Sequence, residues 1–161
     1  MPRPYTAPIN ISTAFTAQVD IFEILAAAGK PFELGGFELG QTSEIGDAQE
    51  EQLTLVLKLA TGSVTSGSGG GTSTFRPINP NDTSPGATIE TGNTTKLATG
   101  SGTVVELARI PWNVRGSALY VPVPEYRHVV PADGRLVLEL ATTPTDSISA
   151  AVGWVAISEL V

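Results

Sequence analysis

The sequence predicts an all-β chain: a single-domain β-sandwich of about eight strands, with the jelly roll preferred over the immunoglobulin-like alternative. Three observations predict it. Apolar residues recur with period two in many short runs, Gly, Pro, Asn and Asp punctuate those runs, and the one stretch with a helical signal, 45–51, is a single turn long. Short alternating runs with regular turn chemistry describe a sandwich or a closed double sheet. The connections are uneven, with long ones after Gly40 and after Ala60. Strands that cross from one sheet to the other need such connections, whereas immunoglobulin-like turns are shorter and more regular.

Each run has its own pattern. Leu53, Leu55, Leu57 and Leu59 alternate with Thr54, Val56 and Lys58, which places Leu55 and Leu57 in the core. Leu136, Leu138 and Leu140 alternate in the same way with Val137 and Glu139. Phe15, Ala17, Val19 and Ile21 oppose Thr16, Gln18 and Asp20. Ile148, Ala150, Val152 and Trp154 alternate with small residues, which predicts Trp154 as a core residue. Further strands are expected at 32–39, 74–78, 87–91, 103–110, 119–123 and 126–130. Asp133-Gly134 supplies the positive φ of a tight hairpin turn. Pro77, Pro80 and Pro85 exclude a central strand from the middle of the chain, and Pro122 and Pro124 predict an edge or a bulge. Ile24 to Ala28 is Ala-rich, but Gly29 and Pro31 stop any helix there.

Two segments suggest reach beyond the domain. Residues 1–13 are expected to form an extended arm and 14–161 the sandwich. Pro2, Pro4 and Pro8 disfavour helix, and Ile9 and Ile11 offer two apolar side chains to a neighbour's groove or sheet edge. The low-complexity stretch 61–73, TGSVTSGSGGGTS, reads either as a flexible surface loop or as an adaptable arm that orders against another subunit.

Composition narrows the function. A chain of 161 residues buries roughly 70% of its unfolded surface, so its core needs no staple. The absence of cysteine excludes disulfides, thiolate zinc sites and a cysteine nucleophile. A net charge of −7 disfavours nucleic acid and anionic lipid as partners. Only 16% of residues are charged, against about 25% in an ordinary soluble domain. A surface so poor in charge suits a protein packed against neighbours. The opening MPRPYTAPINIST lacks an apolar core of signal-peptide length, so no targeting segment is expected.

Residues with chemical potential are few. His128 is the only histidine, so any Ser-His-Asp mechanism depends on it. Gly67-Ser68-Gly69 lies in the low-complexity stretch and not in a strand-turn-helix elbow. Glu44, Asp47, Glu50 and Glu51 form the densest acidic group, but their spacing is not that of an EF-hand. Asp20 with Glu23, or Glu33 with Glu38, would be the carboxylate pairs of a glycosidase, and nothing selects either. The run 67–71 lacks the Lys-Ser/Thr ending of a phosphate loop. The nine basic residues are scattered. No catalytic, cofactor or metal residue is therefore expected. Trp112, at a strand end before a polar turn, is either an exposed anchor or a partly buried cap.

The stretch GQTSEIGDAQEEQLTLVLKL with its following Gly/Ser loop, and the later PWNVRGSALYVPVPEYRHVVPADGRLVLEL, resemble small structural proteins of tailed phages and prophages. The resemblance runs from Phe15 to Val161 and carries no catalytic motif. It implies a virion component on the capsid surface, made in the host cytoplasm. The form expected is a decoration (cement) protein of compact β fold that binds the major capsid protein and assembles as a homotrimer. Ile9, Ile11, Trp112 and Arg115 are the candidate interface residues. The competing expectation is a carbohydrate-binding jelly roll that uses Trp112, Tyr120 and Tyr126 as an aromatic platform. A hydrolase built on His128 ranks last.

Overall fold

The computed structural model describes residues 2–42 and 50–160. It is an all-β sandwich of two antiparallel sheets. Eight strands have six residues or more: β1 (Arg3–Ile11), β2 (Asp20–Leu25), β3 (Phe32–Gln41), β4 (Gln52–Thr61), β7 (Thr88–Asn93), β8 (Thr103–Asn113), β11 (Arg135–Leu140) and β12 (Ala151–Glu159). Four are shorter: β5 (Gly71–Ser73), β6 (Arg76–Pro77), β9 (Ala118–Tyr120) and β10 (Val129–Val130). A 3-10 turn, Pro124–Tyr126, stands between the last two. The first sheet has the order β10-β3-β12-β1-β6, with β9 also on β3. The second has the order β5-β7-β2-β11-β4-β8. The first four strands alternate between the sheets, so the chain crosses the core repeatedly.

The core lies between the sheets. Leu55 and Leu57 are fully buried, as their alternation requires, together with Leu136, Leu138 and Leu140. Phe22 of the second sheet meets Phe37 of the first edge to face, with centroids 5.7 Å apart. That geometry suits the ring quadrupoles and locks one sheet against the other.

Several expectations are corrected. Residues 3–11 are not an arm that leaves the domain; they are β1, paired along its whole length with β12. Tyr5, Ala7, Ile9 and Ile11 point into the chain's own core. The prolines are tolerated for a specific reason. The Pro4 carbonyl accepts from Ile78 N on the β6 side, and alternation puts the nitrogens of Pro4 and Pro8 on that same side. The neighbour there, β6, spans only two residues, so the missing N–H groups leave few bonds unmade.

The strand expected at Phe15 to Ile21 begins at Asp20 and continues through Leu25. Trp154 is on the outer face of β12, while Ala151, Val155 and Ile157 point inward. Asp133 does take positive φ, at 61°. Its turn, however, links β10 of the first sheet to β11 of the second, making a corner rather than a hairpin. Most of the expected helical turn at 45–51, with Glu44 and Asp47, lies outside the described residues.

Candidate interaction surface

Over β7, β2 and β11 the outer face of the second sheet is covered by the chain itself. Loops 62–70 and 94–102 pair through the bridges Thr65↔Ala98 and Ser68↔Thr95, forming a pad. Carboxylates beneath hold it down. Glu23 Oε2 accepts from Gly67 N at 2.8 Å, and Asp20 Oδ2 accepts from Leu97 N at 2.7 Å. Lys96 reaches Glu139 Oε1 at 3.0 Å and Gln18 Oε1 at 2.7 Å. Arg135 donates to Ser66 Oγ at 3.0 Å and pairs with Glu23 at 3.2 Å, while Lys58 pairs with Glu139. As a result Asp20, Glu23 and Glu139 are buried although they face away from the core. Each is paired or hydrogen-bonded, the condition under which buried charge is tolerated.

The Gly/Ser composition of the pad follows from contact rather than mobility. A Cβ on Gly67 would meet Thr95 O at 2.7 Å, and one on Gly70 would meet Asn93 Oδ1 at 2.5 Å. The loop lies so close to β7 and its continuation that a side chain has no room. The stretch 61–73 thus orders on its own domain, which corrects the reading of it as an arm for a neighbour.

Among the described residues, no such loop covers the outer face of the first sheet. Residues directly opposite in an antiparallel pair share a face. One row across that face is Leu119, Glu38, Trp154 and Pro8; another is Val129, Glu33, Ser158 and Pro4. None of these eight residues is buried. Trp154 Nε1 donates to Glu38 Oε2 at 3.0 Å, which ties the indole to its neighbour in the row. Arg127 lies 3.8 Å from Glu33.

The apolar exposure concentrates at one edge of this face. Leu119 is 61% exposed, Val121 58%, Val123 54%, Tyr126 75% and Val129 49%. Five large apolar side chains within eleven residues form a patch of the kind that marks an interface. The strands here, β9 and β10, span three and two residues and flank Pro122 and Pro124. Such short, proline-broken edges resist strand addition. A partner meeting this edge would therefore do so by side-chain packing.

The sequence-predicted site residues are not gathered here. Ile9, Ile11 and Trp112 are buried in the core. Trp112 is 1% exposed and its Nε1 donates to Gly116 O at 3.0 Å, so it caps the sandwich instead of anchoring a partner. Arg115 alone is exposed, in the turn between β8 and β9. The aromatic platform is likewise split: Trp112 is buried, Tyr120 stacks on Phe37 at 5.6 Å, and only Tyr126 is well exposed. His128 Nε2 pairs with Tyr120 Oη at 3.2 Å.

Sequence reasoning missed Leu119, Val121 and Val123 as surface residues because period-two alternation reads the same for an edge as for a core strand. Pro122 and Pro124 were the signal that separated the two. A cavity of about 240 Å³ opens between Ser12, Thr13 and Phe15 on one side and Gly69 to Gly71 on the other, with no charged side chain in its lining. Among the described residues no group of three or more His, Cys, Asp or Glu is placed to hold a metal. Comparisons with family models, curated proteins and solved structures returned no match.

Proposed function

We propose that this chain is a virion structural protein, a decoration protein that seats the bare face of its first sheet on the major capsid protein and on copies of itself. The observation that carries this reading is the asymmetry of the sandwich. One outer face is covered over β7, β2 and β11 by the chain's own loops, and among the described residues the other has no such cover and carries an apolar edge at 119–129. Strand order supports a jelly roll. The pairs β1·β12, β2·β11, β3·β9 and β4·β8 fall in alternate sheets, as they do when one long hairpin is rolled up. Jelly rolls recur in viral capsid and lectin domains, so the fold is compatible with the role without specifying it.

A trimer is the proposed assembly. A ring of three uses a heterologous interface, in which each subunit presents two different patches. Individually weak contacts suffice on a capsid, because many copies bind together and effective concentration multiplies them. The test is co-sedimentation of the protein with particles from producing cells, followed by electron microscopy of those particles. Surface density that disappears with a Leu119→Lys/Val121→Lys variant supports the reading. A protein that stays wholly in the supernatant while particles form normally overturns it.

A further inference from the structure

One glycine of the 67–71 run is not explained by close contact. Gly69 and Gly70 are: a Cβ on the first would collide with Thr94 Oγ1, and one on the second with Thr91 O. A Cβ on Gly71 would meet no atom within 4 Å, and its φ is not among the positive ones. Gly71 of β5 stands directly opposite Thr91 of β7, and Thr91 stands opposite the core residue Phe22 of β2. Opposite residues share a face, so a side chain at position 71 would point inward between the sheets. The cavity of about 240 Å³ lies where that side chain is missing, at the end of the sandwich where β1 stops at Ile11.

The lining combines two chemistries. Ile11, Phe15 and Val19 are buried and form an apolar floor. Ser12, Thr13, Thr91 and Thr94 bring four hydroxyls, and none of them bonds to another described residue. Thr91 is only 5% exposed. A hydroxyl so far withdrawn from bulk water and without a protein partner is suited to a ligand. Gly69 and Gly70 add backbone that a ligand can approach with no side chain in the way. No carboxylate, ammonium or guanidinium lines the space.

We propose that this cavity binds one neutral sugar ring, a pyranose that carries hydroxyls and no charge. A pyranose has a C–H-rich face, which suits the apolar floor, and hydroxyls around its rim, which suit Ser12, Thr13, Thr91 and Thr94. Serine and threonine hydroxyls both donate and accept, as sugar hydroxyls do, so each pair can form in either direction. A charged sugar would give up water around its charge and find no counter-charge in return. Size limits the ligand to a monosaccharide or the end of a glycan, because sites for drug-sized molecules run to about 300–1,000 Å³. The cavity lies beside β1, away from the 119–129 edge. The proposal therefore stands or falls independently of the adhesive role of that edge.

The test is an NMR titration of backbone amide shifts with glucose, galactose, mannose and N-acetylglucosamine, with glucuronate as the charged control. The expected result is saturable shifts at Thr13, Gly69, Gly70 and Thr94 with at least one of the neutral sugars, and much weaker binding of glucuronate. Gly71→Leu is expected to fill the cavity and abolish the shifts. Its melting temperature should not fall, because the new side chain enters open space. Thr91→Val removes only the buried hydroxyl, and is expected to weaken binding several-fold with no loss of stability. No saturable shift with any of the four neutral sugars overturns the proposal. Shifts that persist in Gly71→Leu, or glucuronate bound as well as the neutral sugars, also overturn it. If Gly71→Leu does not fold, undiminished binding by Thr91→Val is the result that overturns it.

Discussion

The two outer faces of this sandwich are built by opposite means. On the second sheet, Asp20, Glu23 and Glu139 point away from the core, yet all three are buried because the pad of 62–70 and 94–102 lies over them. On the first sheet, Leu119 and Val129 point outward and remain exposed. Three carboxylates are thus covered on one face while several large apolar side chains are bare on the other. The lesson is that exposure is decided by what the rest of the chain does with a face, not by the polarity of the residues on it. A face that the chain seals with its own loops has no vacancy for a partner. A face left open with apolar side chains retains surface whose burial favours association.

The largest expected effect comes from beneath the covered face. Leu57→Ala removes a fully buried side chain from the strand that supports it, and is expected to lower stability by roughly 2–5 kcal/mol in chemical unfolding. An unchanged midpoint contradicts the assignment of inner and outer faces. Next in size is the pad's anchor. Glu23→Ala removes the acceptor for Gly67 N and the partner of Arg135. A loss of about 3 kcal/mol is expected, because a largely buried cation is left uncompensated. Proteolysis should then cut first within 62–70. If that loop stays resistant, the carboxylates do not hold the pad.

Acid and base sharpen the same contrast. Asp20 holds its proton more tightly when folded, so the unfolded chain releases its proton first and stability falls as pH rises from about 4 to about 6. The cost at neutral pH is about 1–3 kcal/mol, and Asp20→Asn should remove it. Glu139 behaves oppositely. Burial alone would raise it, but hydrogen bonds from Lys58 and Lys96 outweigh that and hold it below its ordinary 4.5. Its contribution is therefore present above that ordinary value and is lost as pH falls through its lower folded value. Melting curves from pH 3 to pH 8 should show stability decreasing on both sides of a maximum near pH 4–5. A monotonic rise toward pH 8 contradicts the sign assigned to Asp20.

How much was legible beforehand follows the physics of each segment. The leucine runs of β4 and β11 were readable because a period of two fixes which residues face inward. Trp154 was assigned to the wrong face because Ala150, Val152 and Trp154 alternate as well as Ala151, Val155 and Ile157 do, and side-chain size does not choose between the phases. The first strand was hidden by its prolines, whose cost depends on the neighbour: β6 is too short to need the N–H groups that Pro4 and Pro8 lack. The pad was hidden because glycine required for close approach has the same composition as glycine in a mobile linker. The buried carboxylates did leave a trace, a single acid inside each apolar run at Glu23 and Glu139. The bare edge left one too, in Pro122 and Pro124.

The smallest expected effect on stability belongs to the bare face, and it gives the most direct test of the account. Leu119→Lys/Val121→Lys changes two well-exposed side chains, so stability should stay within about 0.5 kcal/mol of the original. Sedimentation velocity at micromolar concentration, run beside a thermal melt, measures both consequences in one preparation. The account predicts that the unsubstituted chain sediments as an oligomer, and that the double variant is a monomer with the same melting temperature. An unsubstituted chain that sediments only as a monomer, or a variant that still assembles as before, contradicts the claim that this face is the adhesive one.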